Sequence, residues 1–190
     1  MQLVCAVAIE ESIQITPGIL VLPERTSLAE LDAAVSRWPE AIVIGAVKEG
    51  SNIRGYALKN GENLIDYRKF ASDNLSEGTG IPPRCQTFED SNVALGVLIC
   101  KDIQHSSLLS NVMGFLANSR AKLKVVCIPA DMDESWFPSR PERAFIGAYV
   151  ALSNSRRTPL QTRKQSFILD PEGNFLREQS SHEPIAYSAA

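Results

Sequence analysis

The run Ala94-Leu95-Gly96-Val97-Leu98-Ile99-Cys100 stays small or apolar up to the cysteine, and charge begins at once with Lys101-Asp102. A short apolar run followed by a helical pattern over 106–120 reads as a strand buried on both faces. Similar runs at 3–9, 18–22, 41–47 and 123–129 predict further strands, so the chain is an α/β protein with sheets covered by helices. Cys100 then falls at the carboxyl end of a buried strand, where α/β sheets open into their ligand crevice. A thiol there is a candidate nucleophile. The competing reading is a buried structural cysteine, since free Cys is among the most buried residue types.

Composition narrows the class. With 190 residues, 44% hydrophobic and 22% charged, the chain fits one domain (1–178) with a C-terminal tail (179–190) expected to be loosely ordered. A net charge of −3 argues against a nucleic-acid or lipid-surface role. No apolar run reaches bilayer length, and Met1-Gln2-Leu3 lacks the basic start of a secretory signal, so neither a membrane partner nor export is expected. Four cysteines without CxxC spacing suggest a reducing, cytoplasmic setting, and two histidines argue against a His-rich metal site.

Local patterning places the remaining elements. Ser27, with Glu30 three residues on, has capping-box spacing and predicts a helix whose apolar face is Leu28, Leu31, Ala34 and Val35, closed by Pro39. Asn60-Gly61 between strands 53–58 and 63–67 predicts a two-residue hairpin. Residues 71–90 read as a long loop, and Asp170-Pro171-Glu172-Gly173 as a second hairpin turn between 165–169 and 174–177. Pro141 is expected to open a helix leading towards Val150, or a strand nearby.

Two charged residues recur at strand ends, Glu24 in Leu22-Pro23-Glu24 and Lys69 in Tyr67-Arg68-Lys69. Each alone reads as a surface charge. Beside Cys100 they acquire a chemical logic: a carboxylate can act as base towards a thiol, and an ammonium favours both a thiolate and an oxyanion. The backbone N–H of Lys101 is a second oxyanion candidate.

These segments, in this order, resemble the three motifs of the nitrilase, or carbon–nitrogen hydrolase, superfamily. Val21-Leu22-Pro23-Glu24 is similar to the first, Tyr67-Arg68-Lys69 after its hairpin to the second, and Gly96-Val97-Leu98-Ile99-Cys100-Lys101-Asp102 to the third. Cys127-Ile128-Pro129-Ala130, Arg143-Ala144 with the run to Ser153-Asn154, and Ser166 to Gly173 resemble the segments that follow. The resemblance implies a four-layer α-β-β-α sandwich and a Glu24–Lys69–Cys100 triad. With them come a small amide, nitrile or carbamoyl substrate, a cysteine thioester, no cofactor or metal, and a homodimer or higher homo-oligomer. It also implies a second glutamate, for which Glu77 is the candidate by position and Glu89 the alternative. Asp131 and Trp136 are candidates for lining the pocket; Arg140 and Arg143 fit structural ion pairs better than a substrate carboxylate. The chain departs from the family in its short length, in the near absence of a helix between the first two strands, and in Lys101 standing where an aromatic or acidic residue is common. A catalytically weakened binding or regulatory relative, and an unrelated protein in which Cys100 is a redox sensor resolved by Cys85, remain the other readings.

Overall fold

The computed structural model describes residues 1–6, 13, 15, 17–70, 86–131, 145, 147–154, 166–178 and 184–188. Among these the chain forms two mixed sheets of six strands each. The first contains β1 (Gln2–Cys5), β2 (Gly18–Glu24), β3 (Ile42–Glu49), β4 (Asn52–Lys59), β5 (Glu62–Arg68) and β12 (Ile185–Ser188), in the order β12-β1-β2-β3-β4-β5. The second contains β6 (Thr87–Glu89), β7 (Val93–Val97), β8 (Leu123–Ala130), β9 (Tyr149–Asn154), β10 (Phe167–Leu169) and β11 (Phe175–Glu178), in the order β11-β10-β9-β8-β7-β6. In each sheet three neighbouring strands run parallel, β1-β2-β3 and β7-β8-β9, and an antiparallel meander extends one side.

Parallel neighbours need a crossover, and for two of the four parallel pairs a described helix supplies it. Helix α1 (Leu28–Arg37) joins β2 to β3, and α2 (Ser106–Asn118) joins β7 to β8. The expected capping box starts α1: Ser27 Oγ accepts from the Glu30 N–H at 3.2 Å, and the Glu30 carboxylate accepts from the Ser27 N–H at 2.7 Å. Alternation along β2 sorts its side chains. Leu20 and Leu22 join Leu31, Ala34 and Trp38 in a core beneath α1, while Ile19 and Val21 join the main core between the sheets. Leu108, Val112 and Leu116 seat α2 on the second sheet. The layers are therefore α1, first sheet, second sheet, α2, the expected sandwich. Gly96 lets α2 approach closely, since a Cβ there would lie 2.2 Å from Val112 Cγ1.

The Asn60-Gly61 hairpin is present, with positive φ at both residues (49° and 78°), as a type I′ turn requires. Three expectations change. The strand expected to end at Cys100 ends at Val97, and Cys100 instead opens a 3₁₀ turn (Cys100–Gln104). A short strand, β6, lies inside the stretch read as loop, paired to β7 through Thr87↔Gly96; residues 71–85 of that stretch are outside the described residues. Residues 185–188, expected to be loosely ordered, pair antiparallel with β1, where the alternation of Ile185 and Tyr187 packs one face of the strand against the main core. The element expected from Pro141 falls largely outside the described residues, and strand β9 follows it.

Candidate active site

The carboxyl ends of β2, β7 and β8 meet at one place, and the side chains there depend on strand parity. On an unbroken β2, Glu24 would share the face of Leu20 and Leu22 and point under α1. The β2–β3 register breaks between them: Val21 pairs with Ile44 but Glu24 with Ala46, so three steps on β2 match two on β3. Pro23 lies within this bulge, where a residue lacking an N–H costs no ladder bond. The extra residue turns Glu24 to the face of Ala46, which belongs to the core between the sheets. Only 2% of Glu24 remains exposed.

Lys69 reaches the same point by regular alternation. Ile65 and Tyr67 of β5 face the main core, and Lys69 is next on that face, its N–H donating to the Ile53 carbonyl at 2.8 Å. Its ammonium, 4% exposed, donates to Glu24 Oε1 at 2.8 Å. The other oxygen, Oε2, is buried and has no nitrogen or oxygen donor among the described residues. Gly55 pairs with Tyr67 across the β4–β5 ladder, and a Cβ there would lie 2.9 Å from both the Tyr67 ring and Ile99 Cδ1. That missing side chain makes room for the Tyr67 ring beside the segment leading to Cys100.

Cys100 has φ of +50°, the left-handed region that non-glycine residues occupy uncommonly. The thiol, 5% exposed, interacts with the Glu24 carboxylate, and the backbone N–H of Asp131 at the end of β8 donates to its sulfur. Burial first, then the charge of Glu24, push the thiol up to about 12, while Lys69 and the Asp131 N–H pull the other way. For Lys69, burial opposes the charged form, but Glu24, Cys100 and Asp102 together carry its pKa above the ordinary lysine value. The cluster is thus arranged as a buried carboxylate–ammonium pair in contact with a protonated thiol. The carboxylate is placed to take the thiol proton, and the ammonium to hold negative charge.

The structure places Glu24, Lys69 and Cys100 side by side. Lys101 occupies the first turn of the 3₁₀ segment directly after the thiol. Asp131 lies beside Cys100, with its carboxylate ion-paired to Arg25 (Nε–Oδ2 2.9 Å). Glu89 is a surface residue instead, accepting from Ser119 Oγ at 2.6 Å and the Arg120 N–H at 3.1 Å just beyond α2, so it is not part of the buried cluster. Glu77, Trp136, Arg140, Arg143 and Cys85 lie outside the described residues. Sequence reasoning missed three contributors: the Asp131 N–H, Gly55 and the Pro23 bulge. Of these, only Pro23 carried a signal, because proline inside a strand marks an irregularity. Among the described residues no group of three His, Cys, Asp or Glu side chains is arranged to hold a metal ion, and no helix is long and apolar enough to cross a membrane.

Solved structures share this architecture. Nit3 of Saccharomyces cerevisiae, a member of branch 10 of the nitrilase superfamily, superposes with a TM-score of 0.70 over 98% of this chain and 89% of its own, at 14% identity. The chain has the nitrilase-superfamily fold. The NitN amidase of Nesterenkonia sp. AN1 matches with a TM-score of 0.62 at 19% identity, covering 88% of this chain and 77% of its own. A mutant of that amidase carrying the acetamide moiety of fluoroacetamide on its active-site cysteine matches with a TM-score of 0.64 at 17% identity, over 97% and 87% of the two chains. No protein-family model and no curated protein matches the sequence.

Proposed function

We propose that this protein hydrolyses a small amide, nitrile or carbamoyl compound at a non-peptide carbon–nitrogen bond, with Cys100 as nucleophile. One observation carries the reading: a buried Glu24–Lys69 pair at 2.8 Å in contact with the thiol of Cys100, whose own φ is positive at the start of a 3₁₀ turn. The amidase neighbours of the same fold support it. For an amide, Glu24 takes the Cys100 proton as the sulfur attacks the carbonyl carbon, and Lys69 with the Lys101 N–H stabilises the oxyanion. The tetrahedral intermediate collapses, the C–N bond breaks, and Glu24 returns its proton to the departing amine, leaving a thioester. Glu24 then deprotonates a water that attacks the thioester, and the acid leaves as Cys100 regains its proton. The same reading assigns Glu77, between Lys69 and Cys100 in the sequence, as a second glutamate, Asp131 and Trp136 to the pocket wall, a homodimeric or higher homo-oligomeric state and a cytoplasmic location.

Incubation with a panel of small amides and nitriles, read by ammonia release and by intact mass, tests this. A productive compound is expected to release ammonia from, and add its acyl mass to, wild-type protein, and to do neither with Glu24→Gln or Cys100→Ala. Ammonia release that persists in Cys100→Ala refutes the assignment. The short chain and Lys101 beside the thiol are what favour the second reading, a catalytically weakened binding relative. In that case ligands bind without any acyl adduct.

A further inference from the structure

Asp102 is a buried carboxylate, 0% exposed, that the proposed chemistry leaves unused. Its position ties together the two segments that carry Lys69 and Cys100. Oδ2 accepts from the Tyr67 hydroxyl at 3.3 Å, and Oδ1 from the backbone N–H of Phe70 at 3.1 Å, so the carboxylate grips the chain on both sides of Lys69. On the other side, the Asp102 N–H donates to the Ile99 carbonyl at 2.9 Å and its carbonyl accepts from the His105 N–H at 3.1 Å, fixing it within the turn that Cys100 opens. The connection is doubled, since the Ile99 N–H donates to the Tyr67 hydroxyl oxygen and the Phe70 ring meets His105 edge-on at 4.6 Å.

We propose that Asp102 is a positioning residue, which holds the end of β5 against the nucleophile turn and so sets the Lys69 ammonium beside Glu24 and Cys100. The inference rests on the proposed amide chemistry only for its kinetic readout. A carboxylate suits the task because it accepts two hydrogen bonds from donors on either side of one residue. Its negative charge also favours the ammonium form of Lys69. A shift of about 1 Å in a catalytic group can cost on the order of a hundredfold in rate.

The test compares Asp102→Asn with Asp102→Ala in the full chain. Both remove the same charge, but only the amide can still accept from Phe70 and bond the Tyr67 hydroxyl, so their difference reports placement. Two measurements are made: the rate at which iodoacetamide labels Cys100, and kcat and KM on an amide that the wild type turns over. Asp102→Ala is expected to slow both labelling and kcat at least about tenfold with KM changed less than about twofold, while Asp102→Asn stays within about threefold of wild type. Equal behaviour of the two variants, or a loss carried by KM, overturns the proposal. If Asp102→Ala does not fold, Tyr67→Phe replaces it: a few-fold slowing of labelling is expected, and a wild-type rate overturns the proposal. A wild type that processes no amide counts against the amide reading alone, because the labelling order still reports where Lys69 sits.

Discussion

The Glu24–Lys69 pair permits a prediction about stability that is independent of any substrate. Both side chains are almost fully buried and their polar atoms lie 2.8 Å apart. At an effective dielectric of about 20, opposite unit charges at that separation attract by about 6 kcal/mol, against a desolvation cost of several kcal/mol for each ion. The net worth of the pair is therefore small, whereas removing one member leaves the other charge buried without its partner. Lys69→Met and Glu24→Leu are each expected to destabilise the fold by about 3–5 kcal/mol. The double variant should not lose the sum; two apolar side chains of similar volume should return it to within about 2 kcal/mol of wild type, with activity gone. Urea unfolding followed by fluorescence and circular dichroism measures all four proteins. Additive losses in the double variant, or a single variant costing less than about 1 kcal/mol, would refute the reasoning, because either would mean that water or another group already compensates the buried charges.

Other expectations follow from single contacts. Gly96→Ala drives a Cβ to 2.2 Å from Val112 Cγ1 and is expected to cost about 1–3 kcal/mol, partly restored in Gly96→Ala/Val112→Ala; thermal melts check both. Ser27→Ala removes the α1 cap on the outer face and should lower stability by about 1 kcal/mol while leaving kcat unchanged. The Cys100 thiol is raised from 9.0 to about 12, so labelling by iodoacetamide should be slow near neutrality and climb steadily through pH 9 to 11. The same shift makes its contribution to stability complete below pH 9 and progressively lost as pH rises towards 12; a labelling profile that levels off near pH 8 contradicts it.

Much of this was readable in the residues because the relevant signals are local. Ser27 and Glu30 specify a helix start, Asn60-Gly61 specifies a turn with positive φ, and unbroken apolar runs such as 125–128 specify strands covered on both sides. Glu24, Lys69 and Cys100 stood out because each follows a strand pattern closely. What was not legible depends on pairing between distant segments. Nothing in Thr87-Phe88-Glu89 alone marks a strand until β7 lies beside it, and residues 185–188 become ordered only against β1. The left-handed φ of Cys100 and the room provided by Gly55 depend likewise on how the turn after β7 packs against β5.

The irregularity at Pro23 gives the first sheet an odd–even sensitivity at one location. Straightening β2 there with every residue kept would leave Ile19 to Leu22 in their present cores, yet turn the carboxylate away from the sulfur and under α1, where it would meet hydrocarbon rather than an ammonium. A strand without the bulge aims the acid at the core only if it is one residue shorter, so chain length and backbone irregularity at this point are constrained together.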